Sequence, residues 1–170
     1  MTSLLRVQLG NAALGLHANA VQEIVRAVAI TPLPGAPRVV EGVINVRGQI
    51  VPVLDVRLRL ALPGRDLHPD EFFVLLGLAG RVVAVRVDEV DDLIDVDAEA
   101  VEGAAAVSPA LQGLAGLAAR SDGVLVIYDP EAFLGQAEAE ALDAALAAPL
   151  AAALGAPLGA TVEAAVASRG

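Results

Sequence analysis

The segment VVEGVINVRGQIVPVLDVRLRL, residues 39–60, decides the fold of this chain. It holds two runs rich in β-branched residues, which favour strands, and Arg47-Gly48 separates them. A glycine there permits a tight turn, so the two runs are predicted to pair as a β-hairpin with Arg47 at its tip. Pro52 indicates an edge position or a bulge, because proline cannot donate a hydrogen bond to a neighbouring strand.

Two more hairpins are predicted on either side of this one. Gly10-Asn11 separates apolar runs at residues 4–9 and 12–17, and this dipeptide tolerates the positive φ of a tight turn. Gly80 separates FFVLLGLA from RVVAVRVD in the same way. The intervening segment ITPLPGAP has three prolines and one glycine in eight residues, which predicts an ordered loop.

The chain contains an internal repeat. Each half has a hairpin, then AVQEIV or DEVDDLI, then a loop, then a strand that opens with Glu41-Gly42 or Gln112-Gly113 and ends in VLD or IYD. The offset between equivalent positions grows from 69 residues at Val21 to 74 at Asp55, as insertions in turns would produce. This duplication predicts a mostly β fold of two small five-stranded, SH3-like barrels.

The predicted domain boundaries follow from this repeat. The first barrel is expected mainly at residues 4–60 and the second mainly at 72–129. The tripeptide DPE then favours the start of a helix, which is predicted to close the domain at 130–148. Residues 1–148 are therefore expected to form one domain, and the Ala/Gly/Pro-rich residues 149–170 a disordered tail.

Composition and charge exclude several classes of function. The formal net charge is −10, and the 11 basic residues, all of them arginine, are scattered without a cluster, which argues against nucleic-acid binding. Cysteine is absent, so disulfides and thiol chemistry are excluded. Polar residues interrupt the N-terminal apolar run, and the uncharged segment 144–162 is weakly apolar, so we expect a cytoplasmic protein without direct membrane insertion.

Catalytic and cofactor motifs are missing from the sequence. None of the four serines has a glycine on both sides, as a nucleophile elbow requires, and no phosphate-binding loop is present. The two histidines, His17 and His68, lack metal-ligand spacing, and the acidic run DEVDDLIDVD lacks the central glycine of a calcium loop. The sequence therefore predicts a protein that is not an enzyme and has no cofactor or metal.

Residues 21–60 resemble the chemotaxis coupling (CheW-like) protein family. The resemblance rests on a V-x-E-I segment, a proline-rich loop, and the motifs G-V-I-N-x-R-G and V-P-V-x-D-x-R in that order. It continues in GRVVAVRVDEVDDLI and in IYDPEAFL with the helix that follows, and so covers roughly residues 4–148. The first strand departs from the family pattern, because Val7 stands where an aromatic residue is usual.

The resemblance implies a non-catalytic adaptor that couples chemoreceptors to a histidine autokinase in bacterial chemotaxis. Its implied partners are the regulatory domain of the kinase and the cytoplasmic tip of the receptor. The matched motifs also imply six protein-binding residues, the last two near the receptor-facing groove: Val21, Glu23, Gly42, Arg47, Val90 and Leu93.

Physical reasoning gives these residues competing interpretations. Arg47 can hold Glu23 through a charge-assisted fork that makes the hairpin tip rigid, or the two can form an ordinary surface ion pair. Gly42 marks a bulge with or without a partner, and the three aliphatic residues Val21, Val90 and Leu93 are core residues unless they prove exposed. The alternatives for the whole protein are a same-fold adaptor in a non-chemotaxis kinase array, for example in pilus motility, and a small-ligand-binding β-barrel.

Overall fold

The computed structural model describes residues 2–78, 80–97, 101–102, 114–120, 123–128 and 134–155. Within them the predicted mostly β fold with a C-terminal helix is confirmed. The strands are β1 (Thr2–Leu9), β2 (Ala12–His17), β3 (Val21–Arg26), β4 (Val40–Val46), β5 (Gln49–Leu54), β6 (Phe72–Leu78), β7 (Arg81–Val87), β8 (Glu89–Val96), β9 (Val101–Glu102), β10 (Leu114–Arg120) and β11 (Gly123–Tyr128). The helices are a 3-10 turn (Ala18–Ala20), α1 (Val56–Arg59) and α2 (Gln136–Gly155).

The three predicted hairpins are present. β1 pairs with β2 around Gly10-Asn11, β4 with β5 around Arg47-Gly48, and β6 with β7 around the turn at Gly80, all antiparallel. The strands assemble into a six-stranded sheet with the order β8-β1-β2-β11-β10-β9 and a five-stranded sheet with the order β3-β6-β7-β5-β4. In both sheets one pair of strands is parallel, β11 with β2 and β5 with β7.

The duplication determines the strand order, but the predicted division of the chain between the barrels is wrong. Each sheet combines the hairpin of one half with the later strands of the other half, so residues 4–60 and 72–129 each contribute to both sheets. The chain crosses between the sheets at the 3-10 turn and again at Asp88. A single linking residue is too short for a β-hairpin loop, so β8 cannot fold back beside β7.

The two edges of the five-stranded sheet approach each other beyond the end of β3. Thr31 forms an isolated bridge with Val43 of β4, and both backbone N–H groups donate, at N···O distances of 2.9 and 2.8 Å. The proline-rich segment predicted to be an ordered loop is therefore fixed at this bridge. Because edge strands otherwise offer unpaired backbone groups, the bridge shields part of β4.

Three apolar clusters fill the fold. The largest lies between the two sheets and includes Leu9, Leu14, Val74 and Val85, all fully buried. A second cluster, with Phe73 as its largest member, covers the face of the five-stranded sheet that points away from the central cluster. A third cluster packs on the six-stranded sheet. β6 and β7 are consequently buried on both faces, which explains their nearly uninterrupted apolar sequences.

Helix α2 packs on the central cluster and extends further than predicted. It contributes fully buried Leu142, and Asp143 on its outer side pairs with Arg81. The helix begins at Gln136 and ends at Gly155, so the predicted limits of 130–148 are too early and the expected tail at 149–170 begins with helix. Residues 156–170 lie outside the described part of the chain. None of the described helices is long and apolar enough to cross a membrane.

Candidate protein-binding surfaces

Arg47 lies at the tip of the β4–β5 hairpin. Val46 pairs with Gln49, so only Arg47 and Gly48 form the turn, with φ values of 48° and 86°. Positive φ at both central residues is the geometry of the two-residue hairpin turn that matches strand twist, and it explains the glycine. The Asn45 side-chain oxygen accepts a hydrogen bond from the Gly48 N–H at 2.7 Å, which further fixes the turn.

The predicted fork between Arg47 and Glu23 is present. Arg47 Nη1 donates to Glu23 Oε1 at 2.8 Å, and Nη2 donates to Oε2. Since Glu23 lies on β3 and Arg47 follows β4, the fork joins the two edge strands of the five-stranded sheet at a second place, beyond the end of β4, whereas the Thr31 bridge contacts the middle of β4. The Arg47 side chain is 72% exposed and that of Glu23 is 33% exposed, so a partner can reach both.

The fork also fixes the charge of its acidic member. The Arg47 hydrogen bonds, reinforced by its positive charge, lower the pKa of Glu23 below its usual range. They raise the pKa of Arg47 in turn. Both groups therefore stay ionised at neutral pH, and the tip presents a planar guanidinium whose orientation is set before any partner arrives.

Gly42 is buried and makes a close backbone contact. It follows a register shift between Val40 and Gly42, which is the predicted bulge in β4. A Cβ atom at this position would lie 2.3 Å from the carbonyl oxygen of Thr31 and 2.7 Å from Cγ2 of Ile30. Gly42 therefore allows the proline-rich loop to lie against β4, and it does not face solvent.

The three predicted aliphatic residues have different environments. Val21 on β3 and Val90 on β8 are half-buried against the central cluster, so core packing accounts for much of their surface. Leu93 on β8 is 65% exposed, the largest exposed fraction among the large apolar side chains of the described chain. Leu93 is therefore not a core residue.

Further exposed apolar residues were missed by the sequence reasoning. Ile24 lies beside Glu23 on β3 and is 41% exposed, and Ile50 lies three residues after Arg47 and is 42% exposed. The repeat contained a signal for the first of them, because the 69-residue offset aligns Ile24 with Leu93. Exposed apolar side chains therefore lie on the strands that carry or follow the two members of the fork, and exposed apolar residues are common in protein-binding surfaces.

A buried ionic cluster occupies the opposite end of the five-stranded sheet. Arg86 on β7 donates from Nε to Glu71 at 2.8 Å and from Nη1 to both carboxylate oxygens of Glu41 at 3.2 Å. Burial raises the pKa of Glu41, whereas for Glu71 the hydrogen bonds from Arg86 and the His68 N–H outweigh burial and lower its pKa. These carboxylates are engaged with arginine, an arrangement that holds segments together.

The described residues contain no arrangement suited to metal binding. No group of three or more histidines or carboxylates there is placed to hold an ion. His68 accepts a hydrogen bond at Nδ1 from the Asp70 N–H at 3.1 Å and thereby caps its own loop. An open cleft of about 610 Å³ next to this loop is polar, and one of its lining residues, Arg65, already pairs with two others, Glu71 and Asp88.

Comparisons with known proteins agree with this geometry. Residues 3–138 match the CheW-like domain family. The chemotaxis protein CheW of Klebsiella aerogenes is 34% identical over 137 residues, which cover 79% of this chain and 82% of that protein. Protein FrzA of Myxococcus xanthus is 35% identical over 77 residues, 45% of this chain and 48% of that protein.

A solved structure has the same architecture. The crystal structure of scaffolding protein TtCheW from Thermoanaerobacter tengcongensis superimposes with a TM-score of 0.70 at 26% identity, and the match covers 81% of this chain and 94% of that chain. The family match spans most of the chain, and it includes both sheets and the Arg47 tip. The protein whose fold is described above belongs to the CheW-like domain family.

Proposed function

We propose that this protein is a non-catalytic adaptor that couples chemoreceptors to a histidine autokinase in chemotaxis signal transduction. Membership of the CheW-like family supports the role, and the related solved structure is that of a scaffolding protein. The observation that carries the proposal at the residue level is the exposed, pre-oriented fork between Arg47 and Glu23. A rigid charged tip beside exposed apolar side chains is suited to binding a protein surface.

The six predicted binding residues take different parts in this proposal. Arg47 and Glu23 contact the regulatory domain of the kinase, and Leu93 contacts the cytoplasmic tip of the receptor. Val21 and Val90 are half-buried and support the strands that carry Glu23 and Leu93. Gly42 acts indirectly, because its missing side chain lets the loop after β3 lie beside β4.

The same proposal places the adaptor in the cytoplasm, without nucleic acid, cofactor or metal. The net charge of −10 opposes binding to phosphate backbones. Among the described residues the most buried carboxylate is that of Glu71, and it is held by Arg86, which leaves it unsuited to acid–base catalysis. Buried apolar side chains fill the interior of the five-stranded sheet, which disfavours the alternative of a small-ligand barrel.

Titration of the full chain with each partner tests the proposal. The purified regulatory domain of the cognate kinase and a fragment of the receptor tip are titrated separately and together, by calorimetry. We expect both to bind, and we expect neither to displace the other, because Arg47 and Leu93 lie on different sheets. Failure of the wild-type protein to bind either partner would refute the adaptor role, and mutual displacement would refute the assignment of two surfaces.

A further inference from the structure

Asp88 is the one residue that links β7 of the five-stranded sheet to β8 of the six-stranded sheet. Its backbone N–H donates to the carbonyl oxygen of Gln8 at 2.8 Å, and its Oδ2 accepts from the Gly10 N–H at 2.7 Å. Gln8 and Gly10 belong to the β1–β2 hairpin. One side of Asp88 is therefore fixed to the six-stranded sheet by two directional hydrogen bonds.

The other carboxylate oxygen of Asp88 accepts a hydrogen bond from the segment that follows the five-stranded sheet's strand β5. Oδ1 accepts from Arg57 Nη2 at 2.5 Å, and Arg57 lies on α1, directly after β5. The Arg57 side chain is only 7% exposed, and its helix is held by the Asp55 carboxylate, which accepts from the Leu58 N–H. The Asp88 carboxylate thus connects the β1–β2 turn with the end of β5, across the boundary between the sheets.

A second row of contacts leads from Asp88 to β4. Arg65 lies 3.7 Å from Asp88 and 4.0 Å from Glu71, and its carbonyl oxygen accepts from Arg86 at 2.9 Å. Arg86 in turn holds Glu41 of β4, the strand whose far end carries Arg47. A continuous polar seam therefore runs from the six-stranded sheet to the strand that supports the Arg47 tip.

The first crossover between the sheets has a different character. It is the 3-10 turn Ala18–Ala20, and the repeat offset aligns its central residue, Asn19, with Asp88. Asn19 carries no charge and lies among alanines. The central apolar cluster joins the sheets at both crossovers, but apolar packing is non-directional, whereas hydrogen bonds to a buried arginine have fixed geometry.

We propose that Asp88 is a positioning residue whose carboxylate fixes the orientation of the two sheets, and with it the spacing between the Arg47 surface and the Leu93 surface. The structural part of this inference stands on the contacts of Asp88 alone. The consequence for partner spacing rests on the proposed adaptor function. Asp88 itself touches neither proposed surface, so its effect is on geometry and not on either contact.

Distance measurements between the sheets test the structural part. The chain has no cysteine, so Ile50→Cys on β5 and Val124→Cys on β11 introduce two spin labels at exposed positions, one on each sheet. Pulsed dipolar spectroscopy on the full chain is expected to give one narrow distance distribution with Asp88 intact. Asp88→Ala should broaden or shift it, and Asp88→Asn, which keeps an acceptor for the Gly10 N–H, should have a smaller effect.

The matched control is Asp92→Asn, an equal charge change at an exposed position on β8. It should leave the distance distribution unchanged. If Asp88→Ala fails to fold, Asp88→Asn carries the test. A wild-type distribution in every folded Asp88 variant overturns the proposal, even if the variant is less stable, because lost stability alone would show only a structural contact.

The second readout separates this proposal from the adaptor function. The affinity for the kinase domain is measured with the receptor fragment absent and then saturating. Asp88→Ala should change the dissociation constant for each partner alone by less than about twofold. It should change the ratio between the kinase affinity with the receptor fragment saturating and the kinase affinity without it by about fivefold or more. An unchanged ratio with altered label distances would refute only the link to partner spacing. If the wild-type protein binds neither partner, the adaptor function fails while the distance test still decides the role of Asp88.

Discussion

The two halves of the repeat share the apolar part of the proposed docking surface and differ in its ionic part. The 69-residue offset of the repeat aligns edge strand β3 with edge strand β8, so that Ile24 corresponds to Leu93 and Glu23 to Asp92. Both aliphatic side chains are exposed. The hairpins opposite them differ. Val46 pairs with Gln49 in the first half and Arg120 pairs with Gly123 in the second, and the sequence between them reads Arg47-Gly48 in the first half and Ser121-Asp122 in the second.

This difference shows how a duplicated fold can acquire two unlike surfaces. Exposed aliphatic residues on edge strands are present in both halves, whereas the sequence has Ser121 in the second half where the first half has Arg47, which pairs with Glu23. Apolar contact area gives affinity with little directional preference, and a bidentate charge pair adds geometric specificity. We therefore assign the more directional interaction to the first half.

The largest effect is expected from filling the space that Gly42 leaves. Gly42→Ala would place Cβ 2.3 Å from a backbone oxygen of Thr31, which cannot be relieved by moving a flexible side chain. The loop would have to separate from β4, and we expect the free energy of unfolding to fall by about 3 kcal/mol. Urea denaturation measures it. Gly64→Ala is the control, because nothing lies within 4 Å of the new methyl group there.

The second half contains an equivalent of Gly42. Its strand β10 also has a register shift, between Leu114 and Gly116, so Gly116 is the structural equivalent of Gly42. The sequence comparison instead paired Gly42 with Gly113, three residues earlier. A Gly42→Ala protein as stable as the wild type would show that the close approach of the loop is not needed for the fold.

The next effect in size concerns the fork of the first half, between Arg47 and Glu23. Arg47→Ala should weaken binding of the kinase domain by about tenfold or more while leaving the melting midpoint nearly unchanged, because the side chain is largely exposed. Glu23→Ala should give a similar defect, and the double variant should be less impaired than the sum of the single variants if the two act as a unit.

Calorimetric titration of the three variants and of Arg38→Ala, an exposed arginine away from the tip, measures this coupling. The Arg38 variant removes the same charge and should bind like the wild type. Wild-type affinity in a folded Arg47→Ala protein would move the kinase contact away from the tip. Strictly additive losses would instead show that Arg47 and Glu23 contact the partner independently.

Local sequence signals predicted much of this structure. The Arg47-Gly48 turn and the other two hairpins follow from short-range patterns, because turn geometry depends on a few neighbouring residues. The fork joins residues 24 apart in the sequence, and it was expected only as one interpretation of two residues that the family resemblance singled out. The exchange of hairpins between the halves was not predictable from the repeat. Equivalent strands have similar sequences, so the pattern does not specify which copy they pair with.

Exposure was the part of the candidate site least accessible from sequence. Val21 and Leu93 are both aliphatic residues on edge strands, yet one is half-buried by the central cluster and the other is exposed. The buried pair of Arg86 and Glu71 was also missed, because an arginine within an apolar strand is expected to be a surface residue unless the fold buries a carboxylate beside it. These features depend on which face of each strand the rest of the fold covers, and a single sequence does not specify that.

A smaller effect is expected from the apolar residues that the two halves share. Leu93→Ser should weaken receptor binding several-fold, and Ile24→Ser should weaken kinase binding to a similar degree. Both should change the free energy of unfolding by less than about 0.5 kcal/mol, because these side chains are exposed. Titration with each partner checks the assignment. If both variants weaken the same partner, the division of labour between the halves is wrong.

The smallest effect, a change in pH dependence, distinguishes the two crossovers between the sheets. Although burial alone would raise the pKa of Asp88, hydrogen bonds from the Gly10 N–H and Arg57 outweigh it and lower the pKa below the ordinary value. A lowered folded-state pKa stabilises the fold above the unfolded-state pKa of about 4, and this stabilisation is lost as pH falls through the folded-state value. Asp88→Asn should therefore reduce stability at pH 7, and its difference from the wild type should shrink below about pH 4.

Asn19→Ala at the other crossover is the control, because asparagine does not titrate and any stability difference there should be the same at every pH. Urea denaturation of the three proteins between pH 7 and pH 3 measures both differences. A gap between wild type and Asp88→Asn that stays constant over this range would mean that the charge of Asp88 contributes nothing to the join between the sheets, and the second crossover would then be no different in kind from the first.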